Sequence, residues 1–571
     1  MQSSSNIYCR QIIDVIIAHG VKDAYCCPGS RNAPLLIALD GCSEIKKHVI
    51  VDERSAAFQA LGCGIVEKKP VLLVCTSGTA VLNFAPAVAE AYYAGVPLIV
   101  VSADRPREWI DQDDSQTIRQ FHVLDHIVKG SYDVRAIPEG KTKEYPPEVK
   151  WTVNRTINEA MLKALNGKTG PVHVNVQLSD PLGATVGCDY VAERKITAIA
   201  TTESLPHQVV KEMASEASGA KIMLVAGFLS PDHTIVKAVR MFSSLPNVVL
   251  MAETLANLHD SQSYSTMIDS VLCDLTESEK SELRPDIVIY IGGALVSRML
   301  KQYLRIYPPK MQWSVGHSNY FGDCFQSLTE VIDVSPAPFL RQLYGAVRKC
   351  SMSNTPKYAS NWIERKKESA ALAEKYIARS GWSDLTAINY ILKNLILDNL
   401  FVSNGTCVRY SQLIPHKCHA EYSNRGVSGI DGTTATAVGS ANAYSGYTTL
   451  LTGDMSWLYD SGASTLCNVP STMRIIVIDN SGGGIFRFIK STSSIPESML
   501  GRYFCVDNLP SVAPIAEAYG IETMEASNMD ELSEGVGWLS AESDLPRLLV
   551  VKTPPAESSE ILKAYFSKSK I

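Results

Sequence analysis

Short apolar runs alternate with segments of helix length along the whole chain, and no other feature of the sequence constrains the fold as strongly. In the first third these runs cover residues 71–75, 97–102 and 172–178. Such runs are typical of β-strands, and strands separated by helices usually lie side by side in parallel sheets. The sequence therefore predicts an α/β protein whose parallel sheets are flanked by helices.

The same alternation continues through the rest of the chain, and polar segments divide it into three parts. Further apolar runs are found at 221–226, 248–251, 286–291, 401–402, 448–451, 474–478 and 548–551. Polar stretches at 187–206, and at 335–338 together with 350–360, resemble linkers. Because 571 residues exceed what one core usually holds, we expect three domains, at 1–187, 205–345 and 360–571.

Bulk properties argue against several classes of protein. The net charge of −6 is opposite in sign to that of a protein that coats nucleic acid. No apolar stretch is long enough to cross a bilayer, and residues 1–8 lack the pattern of a secretory signal. The 14 cysteines are scattered, and none are in C-x-x-C spacing, which is typical of reduced thiols. We expect a cytoplasmic protein that neither binds nucleic acid nor inserts into a membrane.

Two polar residues of the last third follow apolar runs. Asp454 comes after the run at 448–451, and Asn480 comes after the run at 474–478. Open α/β sheets bind ligands at the C-terminal ends of their strands, and Mg²⁺ prefers hard oxygen ligands that it shares with phosphates. The side chains of Asp454 and Asn480 and the carbonyl of Gly482 would supply three such oxygens. Two turns that carry Asp and Asn for structural reasons alone would show the same pattern.

Two segments near the start of the chain are also candidates for binding. Ser30 and Arg31 follow a short strand-like run, so that Ser30 is expected to cap the next helix and Arg31 to lie at its N-terminus, where anions are favoured. Asp52 and Glu53 begin a helix rich in alanine and glycine, whose small residues permit close packing. Acidic residues are common at helix starts because they interact favourably with the helix dipole.

Further candidates lie between residues 77 and 116. The turn at 77–80 offers backbone amides and hydroxyls to a small anion. Arg105 follows the run at 97–102, and Gln116 lies on the loop beyond it. The acidic residues at 111–114 resemble a solvated loop more than a metal site.

In the last third, Arg409 precedes a glycine-rich turn at 423–432. That turn would admit a flat ring, or would serve only as a tight turn. The chain has no G-x-x-x-x-G-K-[ST], G-x-G-x-x-G or G-x-S-x-G motif. P-loop, dinucleotide-binding and α/β-hydrolase interpretations therefore lack their main support.

Seven segments occur in the order typical of one family. They are Pro28-Gly29-Ser30-Arg31, Asp52-Glu53-Arg54-Ser55-Ala56-Ala57, Thr76-Ser77-Gly78-Thr79-Ala80, Ala103-Asp104-Arg105-Pro106, Asn424-Arg425-Gly426, Ser428-Gly429-Ile430-Asp431-Gly432 and Gly482-Gly483-Gly484-Ile485-Phe486. The chain resembles the MenD family of thiamine diphosphate enzymes, the 2-succinyl-5-enolpyruvyl-6-hydroxy-3-cyclohexene-1-carboxylate synthases of menaquinone biosynthesis. The resemblance covers both outer thirds well and the middle third weakly.

The resemblance implies a pyrimidine-binding domain, a central domain and a diphosphate-binding domain. Glu53 would face the aminopyrimidine ring of thiamine diphosphate, where a carboxylate favours the reactive imino tautomer. Ile430 would hold the cofactor in its bent shape. Asp454, Asn480 and Gly482 of a partner subunit would hold Mg²⁺ or Mn²⁺ and the diphosphate, so that the active site requires a homodimer or homotetramer.

The resemblance also implies the substrates. 2-Oxoglutarate would be decarboxylated, and its succinyl unit would be added to isochorismate in a 1,4-addition. The residues that would orient these anions are Ser30, Arg31, Arg105, Gln116, Arg409 and Arg425, and the apolar walls would be Ile485, Phe486 and Ile489. Arginine suits this role because it binds carboxylates through two parallel hydrogen bonds. In a chain of net charge −6 a local cluster of arginines is needed to attract them.

Two positions depart from the usual pattern of the family. Gly405 stands where the family has Ser, and Ser297-Arg298 stands where it has Lys-Arg. These departures weaken the predicted substrate contacts of Arg409 and Arg298. Two alternatives stay open, namely another thiamine diphosphate enzyme with an apolar substrate pocket, such as a decarboxylase or acetohydroxyacid-type ligase, and a cofactor-binding protein without activity.

Overall fold

The structure is a computed structural model, and its described residues form two compact units. The described residues are 2–135, 146–180, 182–187, 192–199, 201, 203–258, 267–350, 357–464, 469–489, 491–492, 494–506 and 508–570. The first unit comprises Met1–Ala200, Gly426–Gly446 and Tyr459–Met473, and the second comprises Thr201–Arg425, Tyr447–Leu458 and Arg474–Ile571.

Strands and helices alternate along the chain. The strands are β1 (Gln2–Ser4), β2 (Asp23–Cys26), β3 (Lys46–Val49), β4 (Val71–Cys75), β5 (Leu98–Asp104), β6 (Ser131–Val134), β7 (Val172–Gln177), β8 (Thr185–Gly187), β9 (Ile222–Ala226), β10 (Val248–Ala252), β11 (Ile287–Ile291), β12 (Met311–Val315), β13 (Glu330–Ile332), β14 (Leu397–Val402), β15 (Cys418–Tyr422), β16 (Thr448–Gly453), β17 (Met473–Asp479), β18 (Glu522–Ala526) and β19 (Arg547–Lys552). The α-helices are α1 (Ile7–Ala18), α2 (Ala33–Asp40), α3 (Glu53–Glu67), α4 (Ala80–Asn83), α5 (Ala85–Ala94), α6 (Pro147–Leu165), α7 (His207–Ala217), α8 (His233–Phe242), α9 (Ile268–Asp274), α10 (Glu277–Glu282), α11 (Arg298–Ile306), α12 (Pro336–Val347), α13 (Tyr358–Arg379), α14 (Asp384–Asn394), α15 (Cys407–Leu413), α16 (Thr433–Ala443), α17 (Asp454–Tyr459), α18 (Gly484–Phe488), α19 (Glu497–Leu500), α20 (Val512–Ala518), α21 (Met529–Ser540) and α22 (Pro555–Tyr565).

The first unit is built on a six-stranded parallel sheet in the order β3-β2-β4-β5-β7-β6. Its central strands β4, β5 and β7 are buried along their whole length. Residues of α1, α2 and α6 form a continuous apolar core with alternate residues of these strands. Burial on both faces explains why β4 is an unbroken apolar run in the sequence. β7 is buried as well, but its apolar residues alternate with His173, Asn175 and Gln177.

The second unit contains two sheets. A five-stranded parallel sheet has the order β10-β9-β11-β12-β13. A six-stranded sheet has the order β15-β14-β16-β17-β19-β18, and its apolar core includes residues of α14, α15, α21 and α22.

The strand orders identify where each sheet can bind a ligand. Numbered within its own sheet in chain order, each six-stranded sheet reads 2-1-3-4-6-5, and the five-stranded sheet reads 2-1-3-4-5. In this topology the direction of winding reverses between the first and third strands, and ligands bind outside the C-terminal ends of the strands at that point. The reversal lies between β2 and β4 in the first unit, and between β9 and β11 and between β14 and β16 in the two sheets of the second unit.

The predicted parallel α/β class is confirmed, and all the apolar runs identified in the sequence are strands. The three large sheets lie within 1–187, 205–345 and 360–571, respectively. The domain bounds themselves stay a prediction. In the expected linker at 187–206, the described residues after β8 contain no helix or strand, while 188–191, 200 and 202 lie outside the described residues.

Two local expectations are wrong. The predicted break at 335–338 is the start of α12, because proline is favoured in the first turn of a helix, where its missing N–H costs nothing. Residues 351–356 of the second predicted break lie outside the described residues.

Ser30 does not cap the next helix, since the N-cap of α2 is Asn32, whose amide donates instead to the Cys27 carbonyl at 2.8 Å.

The close packing predicted for the alanine- and glycine-rich helix is found between α3 and α16. A Cβ on Gly62 of α3 would lie 1.9 Å from the Thr436 carbonyl oxygen, and a Cβ on Gly439 of α16 would lie 2.0 Å from the Gln59 carbonyl oxygen. The backbones of the two helices therefore touch at both glycines, and neither site has a flexible side chain that could move away.

We expect Gly439→Ala to lower the free energy of unfolding by about 1–3 kcal/mol, because overpacking here meets backbone rather than side chain. Gly537 in α21 is a matched control, since a Cβ there would have no neighbour within 4 Å. Gly537→Ala should be neutral or stabilising by roughly 0.5–1 kcal/mol, as expected for a helix interior. Thermal or urea unfolding of both variants measures the difference, and equal midpoints would contradict the packing argument.

Each cysteine that the structure describes is free, as the sequence predicted. No helix in the described parts of the chain combines the length and the apolar character needed to cross a membrane.

Candidate active site

Asp454 is buried at the C-terminal end of β16, beside the reversal point of its sheet. Its carboxylate accepts hydrogen bonds from the backbone N–H groups of Met455 and Gly482, each at 2.6 Å. The bond to Gly482 brings the turn after β17 against Asp454. Burial, together with the nearby carboxyl of Asp479, raises the pKa of Asp454 to about 7. A cation at this position would relieve the cost of the buried charge.

Asn480 follows β17, and a buried carboxylate fixes the orientation of its amide. Its Nδ2 donates to Oδ2 of Asp384 at 2.8 Å, and Thr553 Oγ1 donates to the other carboxylate oxygen at 2.5 Å. Because the amide nitrogen faces Asp384, Oδ1 of Asn480 is directed away from it and is available as a ligand. Sequence reasoning missed Asp384, which after the N-cap Ser383 looks like an ordinary acidic residue of a first helical turn.

The turn after Asn480 requires glycine. Gly482 and Gly483 have φ of +85° and +44°. A Cβ on Gly482 would also lie 2.0 Å from the Cys505 carbonyl oxygen. The turn therefore exposes backbone at close range, and a carboxylate, an amide oxygen and a backbone carbonyl are brought into one neighbourhood. These are the hard oxygen donors that Mg²⁺ takes when it is shared with phosphates, so the residues fit such a group.

The predicted apolar walls lie just beyond this turn. Ile485 and Phe486 are in α18, and Ile489 follows its last residue. All three side chains are half-buried. Phe486 packs edge-to-face against Phe504, with ring centroids 5.5 Å apart, which fixes its position beside the glycine turn.

Arg409 and Arg425 lie close together in the second unit. Arg425 donates to Oδ1 of Asn404 at 2.8 Å and to the Leu295 carbonyl at 3.3 Å. Asn404 is fixed in turn by donation of its Nδ2 to the Asn424 carbonyl at 2.7 Å. Burial, and then the charges of Arg298 and Arg425, lower the pKa of Arg409 to about 10, so that three cations share one region.

Glu253 is a further residue of this region that sequence reasoning missed. It is buried, and its carboxylate accepts hydrogen bonds from the backbone N–H groups of Val296 and Ser297 at 2.8 and 2.7 Å. Burial raises its pKa to about 7, against the opposing effects of those bonds and of Arg425. Glu253 therefore holds the segment that leads into α11. No local pattern in the sequence indicates this contact, because its two partners are far apart along the chain.

The two departures from the family pattern have structural explanations. Gly405 has φ of +103°, which a serine would adopt only with strain. Ser297 is the N-cap of α11 and accepts from the Leu300 N–H at 3.0 Å, while its hydroxyl donates to Asp269. Ser297 thus has a structural role in starting the helix.

In the first unit, Glu53 is the first residue of α3 and lines a cavity of about 250 Å³. The turn at 77–80 and Gln116 line the same cavity, so the structure brings together three of the predicted features. Burial, and to a lesser extent the neighbouring Asp52, raise the pKa of Glu53 above its usual range. A carboxyl group with this shift is suited to exchanging a proton with a ligand.

Arg31 and Arg105 also lie close together in the first unit. Arg31 is buried and donates to the Leu178 carbonyl at 3.0 Å. Burial, and then the charge of Arg105, lower its pKa. Arg105 pairs with Asp114 at 2.9 Å and donates to the Ser115 carbonyl at 2.8 Å. Arg31 also lies 3.6 Å from the carboxylate of Asp180, so each of the two guanidinium groups is held by one backbone carbonyl and one carboxylate.

The remaining predicted residues of the first unit are exposed or serve the fold. Ser30 and Gln116 are exposed. Gln116 has φ of +54°, and its backbone lies 3.3 Å from where a Cβ of Gly78 would be. In the acidic loop, Asp111 pairs with Arg119 at 2.8 Å and Asp114 pairs with Arg105 at 2.9 Å.

The glycine-rich turn before α16 is anchored within the first unit. Glu90 of α5 is buried and accepts from the backbone N–H groups of Gly426 and Val427, each at 2.6 Å. Gly432 has φ of +72°, and a Cβ there would lie 2.2 Å from the ring of Phe58. Gly432 is therefore required by packing. Ile430 lies on the same turn and is half-buried.

Comparison with known proteins agrees with this geometry. Residues 8–123, which include Glu53 and the turn at 77–80, match the family described as thiamine pyrophosphate enzyme, N-terminal TPP binding domain. With its parallel sheets and the polar groups at their strand ends, the chain is a thiamine diphosphate-dependent enzyme.

The relatives narrow this class to one family. A 2-succinyl-5-enolpyruvyl-6-hydroxy-3-cyclohexene-1-carboxylate synthase of Porphyromonas gingivalis is 40% identical over 565 residues, which cover 97% of this chain and 96% of the relative. Synthases of the same name are 34% identical in Flavobacterium johnsoniae, over 98% of both chains, and 35% identical in Desulfotalea psychrophila, over 91% of this chain and 93% of the relative. The chain belongs to the 2-succinyl-5-enolpyruvyl-6-hydroxy-3-cyclohexene-1-carboxylate synthase family.

Proposed function

We propose that this enzyme decarboxylates 2-oxoglutarate and adds the succinyl unit to isochorismate in a 1,4-addition, as a step of menaquinone biosynthesis. The observation that carries the proposal is the group of arginines in the second unit, Arg298, Arg409 and Arg425, in a chain that is acidic overall. Both proposed substrates are dicarboxylates, and a local concentration of guanidinium groups attracts and orients them.

Asp454, Asn480 and the Gly482 carbonyl would hold a divalent cation, Mg²⁺ or Mn²⁺, together with the cofactor diphosphate. Support comes from the buried carboxylate of Asp454 and from the Asn480 amide, whose orientation Asp384 fixes at 2.8 Å. When bound, thiamine diphosphate supplies the nucleophilic carbon and the electron sink for loss of CO2 from a 2-oxo acid.

Glu53 would contact the aminopyrimidine ring and exchange a proton with it. The raised pKa of Glu53 suits this role, because a carboxyl group in a partly closed cavity binds its proton more readily than one in water. Ile430 would hold the cofactor in its bent shape.

The residues that would orient the substrate anions are Ser30, Arg31, Arg105, Gln116, Arg409 and Arg425. Ile485, Phe486 and Ile489 would form an apolar wall that limits access of water. Arg31 and Arg425 are held by backbone carbonyls, so little order must be gained when a carboxylate binds.

We further propose that the enzyme acts in the cytoplasm as a homodimer or a dimer of dimers, in which Glu53 of one subunit and Asp454 of another serve the same cofactor. A two-fold symmetric dimer would then contain two equivalent sites.

The substrate dependence of the purified protein tests the proposal. With thiamine diphosphate and Mg²⁺, 2-oxoglutarate should be consumed and CO2 released only when isochorismate is present, and mass spectrometry should detect the adduct. Reactions with pyruvate, or without isochorismate, are the controls. Turnover of pyruvate would favour a decarboxylase or acetohydroxyacid-type ligase, and no turnover with either substrate would favour a protein that only binds the cofactor.

A further inference from the structure

Lys301 belongs to the group of cations in the second unit, although it lies outside the segments that resemble the family. It is half-buried in α11, and its Nζ donates to the Leu295 carbonyl at 2.8 Å. Arg425 donates to the same carbonyl at 3.3 Å. Because both donors meet one oxygen, the ammonium group of Lys301 is a direct neighbour of the Arg425 guanidinium.

The negative charges of this region are already engaged by the protein. Glu253 accepts from two backbone N–H groups at the start of α11, and Asp269 accepts from the hydroxyl of Ser297. Arg298, Lys301, Arg409 and Arg425 lie near these two acidic groups, and Arg305 lies near Lys301, so these cations outnumber Glu253 and Asp269.

Lys301 retains capacity to bind a ligand. An ammonium group has three donors, and Lys301 uses one of them for the Leu295 carbonyl. Among the residues that the structure describes, no carboxylate lies within ion-pair distance of it. Burial lowers its pKa, the nearby side chains of Cys324 and Glu253 oppose this effect, and the charge of Arg425 adds to it.

The position of Lys301 in its helix is unfavourable for a cation. Arg298 and Lys301 are the first and fourth residues of α11. Cations in the first turn of a helix are disfavoured by the helix dipole. The N–H groups of Val296, Ser297 and Leu300 are already bonded to Glu253 and to the Ser297 hydroxyl, so an anion at this place would be attracted by the side chains of Arg298 and Lys301.

We propose that Lys301 is a further substrate-binding residue, which donates to a carboxylate group of one of the two dicarboxylate substrates beside Arg425. The inference rests on the proposed function for the identity of the substrates, and on the geometry of α11 for the site itself. Ser297 occupies the N-cap of the helix, and Lys301, one turn further on, supplies the ammonium group.

Kinetics of three variants test this role. Lys301→Gln removes the charge, Lys301→Arg retains it, and Lys310→Gln removes an exposed lysine that pairs with Asp286 outside the group. Lys301→Gln should raise KM for one substrate by roughly 5- to 50-fold with little change in kcat, the range expected for loss of a charge-assisted hydrogen bond. Lys301→Arg should recover most of the loss, and Lys310→Gln should behave as wild type. The affected KM distinguishes 2-oxoglutarate from isochorismate.

Calorimetric titration of each substrate into the holoenzyme, with thermal unfolding of every variant, completes the test. A wild type that binds but does not turn over the substrates would refute the proposed function, while the ratio of Kd values between wild type and Lys301→Gln would still decide the role of Lys301. The inference is overturned if both KM and Kd stay within about twofold of wild type, or if Lys301→Gln lowers kcat and thermal stability while both substrates bind normally.

Discussion

Glu53→Gln is expected to lower kcat by about 10²- to 10⁴-fold, the contribution usual for a group that exchanges a proton with the reacting system. Glutamine has nearly the size of glutamate and would fit the cavity that Glu53 lines, but its amide cannot bind or release the proton. Steady-state turnover of 2-oxoglutarate with isochorismate measures the loss. Because Glu53 is only half-buried and makes no ion pair among the described residues, thermal stability should stay close to wild type.

Glu67→Gln is the matched control, since Glu67 ends the same helix and pairs at the surface with Lys69 at 2.7 Å. It should retain full activity. Magnesium-dependent binding of thiamine diphosphate should persist in Glu53→Gln, which separates a defect in proton exchange from a defect in assembly of the site. Turnover above about a tenth of wild type in Glu53→Gln would remove the proposed role of this residue.

The sequence predicted those strands whose two faces are buried. The predicted bounds of β4 were correct to the residue, and those of β9, β11 and β17 differed from the observed bounds by one residue. A strand covered on both faces is apolar at most positions, so it can be recognised without knowledge of its neighbours.

The missed strands are those with polar side chains. β3, β6, β15 and β18 are edge strands of the two six-stranded sheets. Edge strands carry charged residues that discourage pairing between molecules, as in the sequence Lys-Lys-His-Val of β3. Their strand character depends on a partner that is distant in the sequence, and the local composition does not reveal it.

The candidate site also contains residues that the sequence indicated and residues that it did not indicate. Asp454 and Asn480 were recognisable because each directly follows an apolar run. Asp384, Glu90 and Glu253, which orient an amide or hold a backbone segment, were not recognisable, because each acts on residues between 43 and 337 positions away. Only the fold brings such pairs together. For Glu90 one signal was available, a charged residue in the otherwise alanine-rich α5.

Asp454→Asn should weaken magnesium-dependent binding of thiamine diphosphate by about 100-fold or more. Substitution of a residue that only orients a metal ligand usually lowers the metal affinity by about 10- to 100-fold, and loss of the ligand itself should cost more. The amide keeps the size of the side chain and one acceptor for the N–H of Gly482. Folding should suffer little, since the removal of a buried charge offsets the loss of the hydrogen bond from the Met455 N–H. Titration calorimetry with Mg²⁺ and with EDTA measures the loss, and Asp530→Asn, an exposed position in α21, is the control.

A mixed dimer of Glu53→Gln and Asp454→Asn subunits tests whether one site draws on two subunits. In a two-fold dimer of that kind, one site combines both substitutions, while the other combines Glu53 of one subunit with Asp454 of its partner and is entirely wild type. Each variant alone should be inactive, but the heterodimer, isolated through two different tags, should have about half the wild-type activity, because one of its two sites is intact. If both residues of a site came from the same subunit, every site in the heterodimer would carry one substitution and activity would stay at the level of the parents. Recovery therefore distinguishes a shared site from a self-contained one, and it does so without any assumption about which substrate each arginine binds.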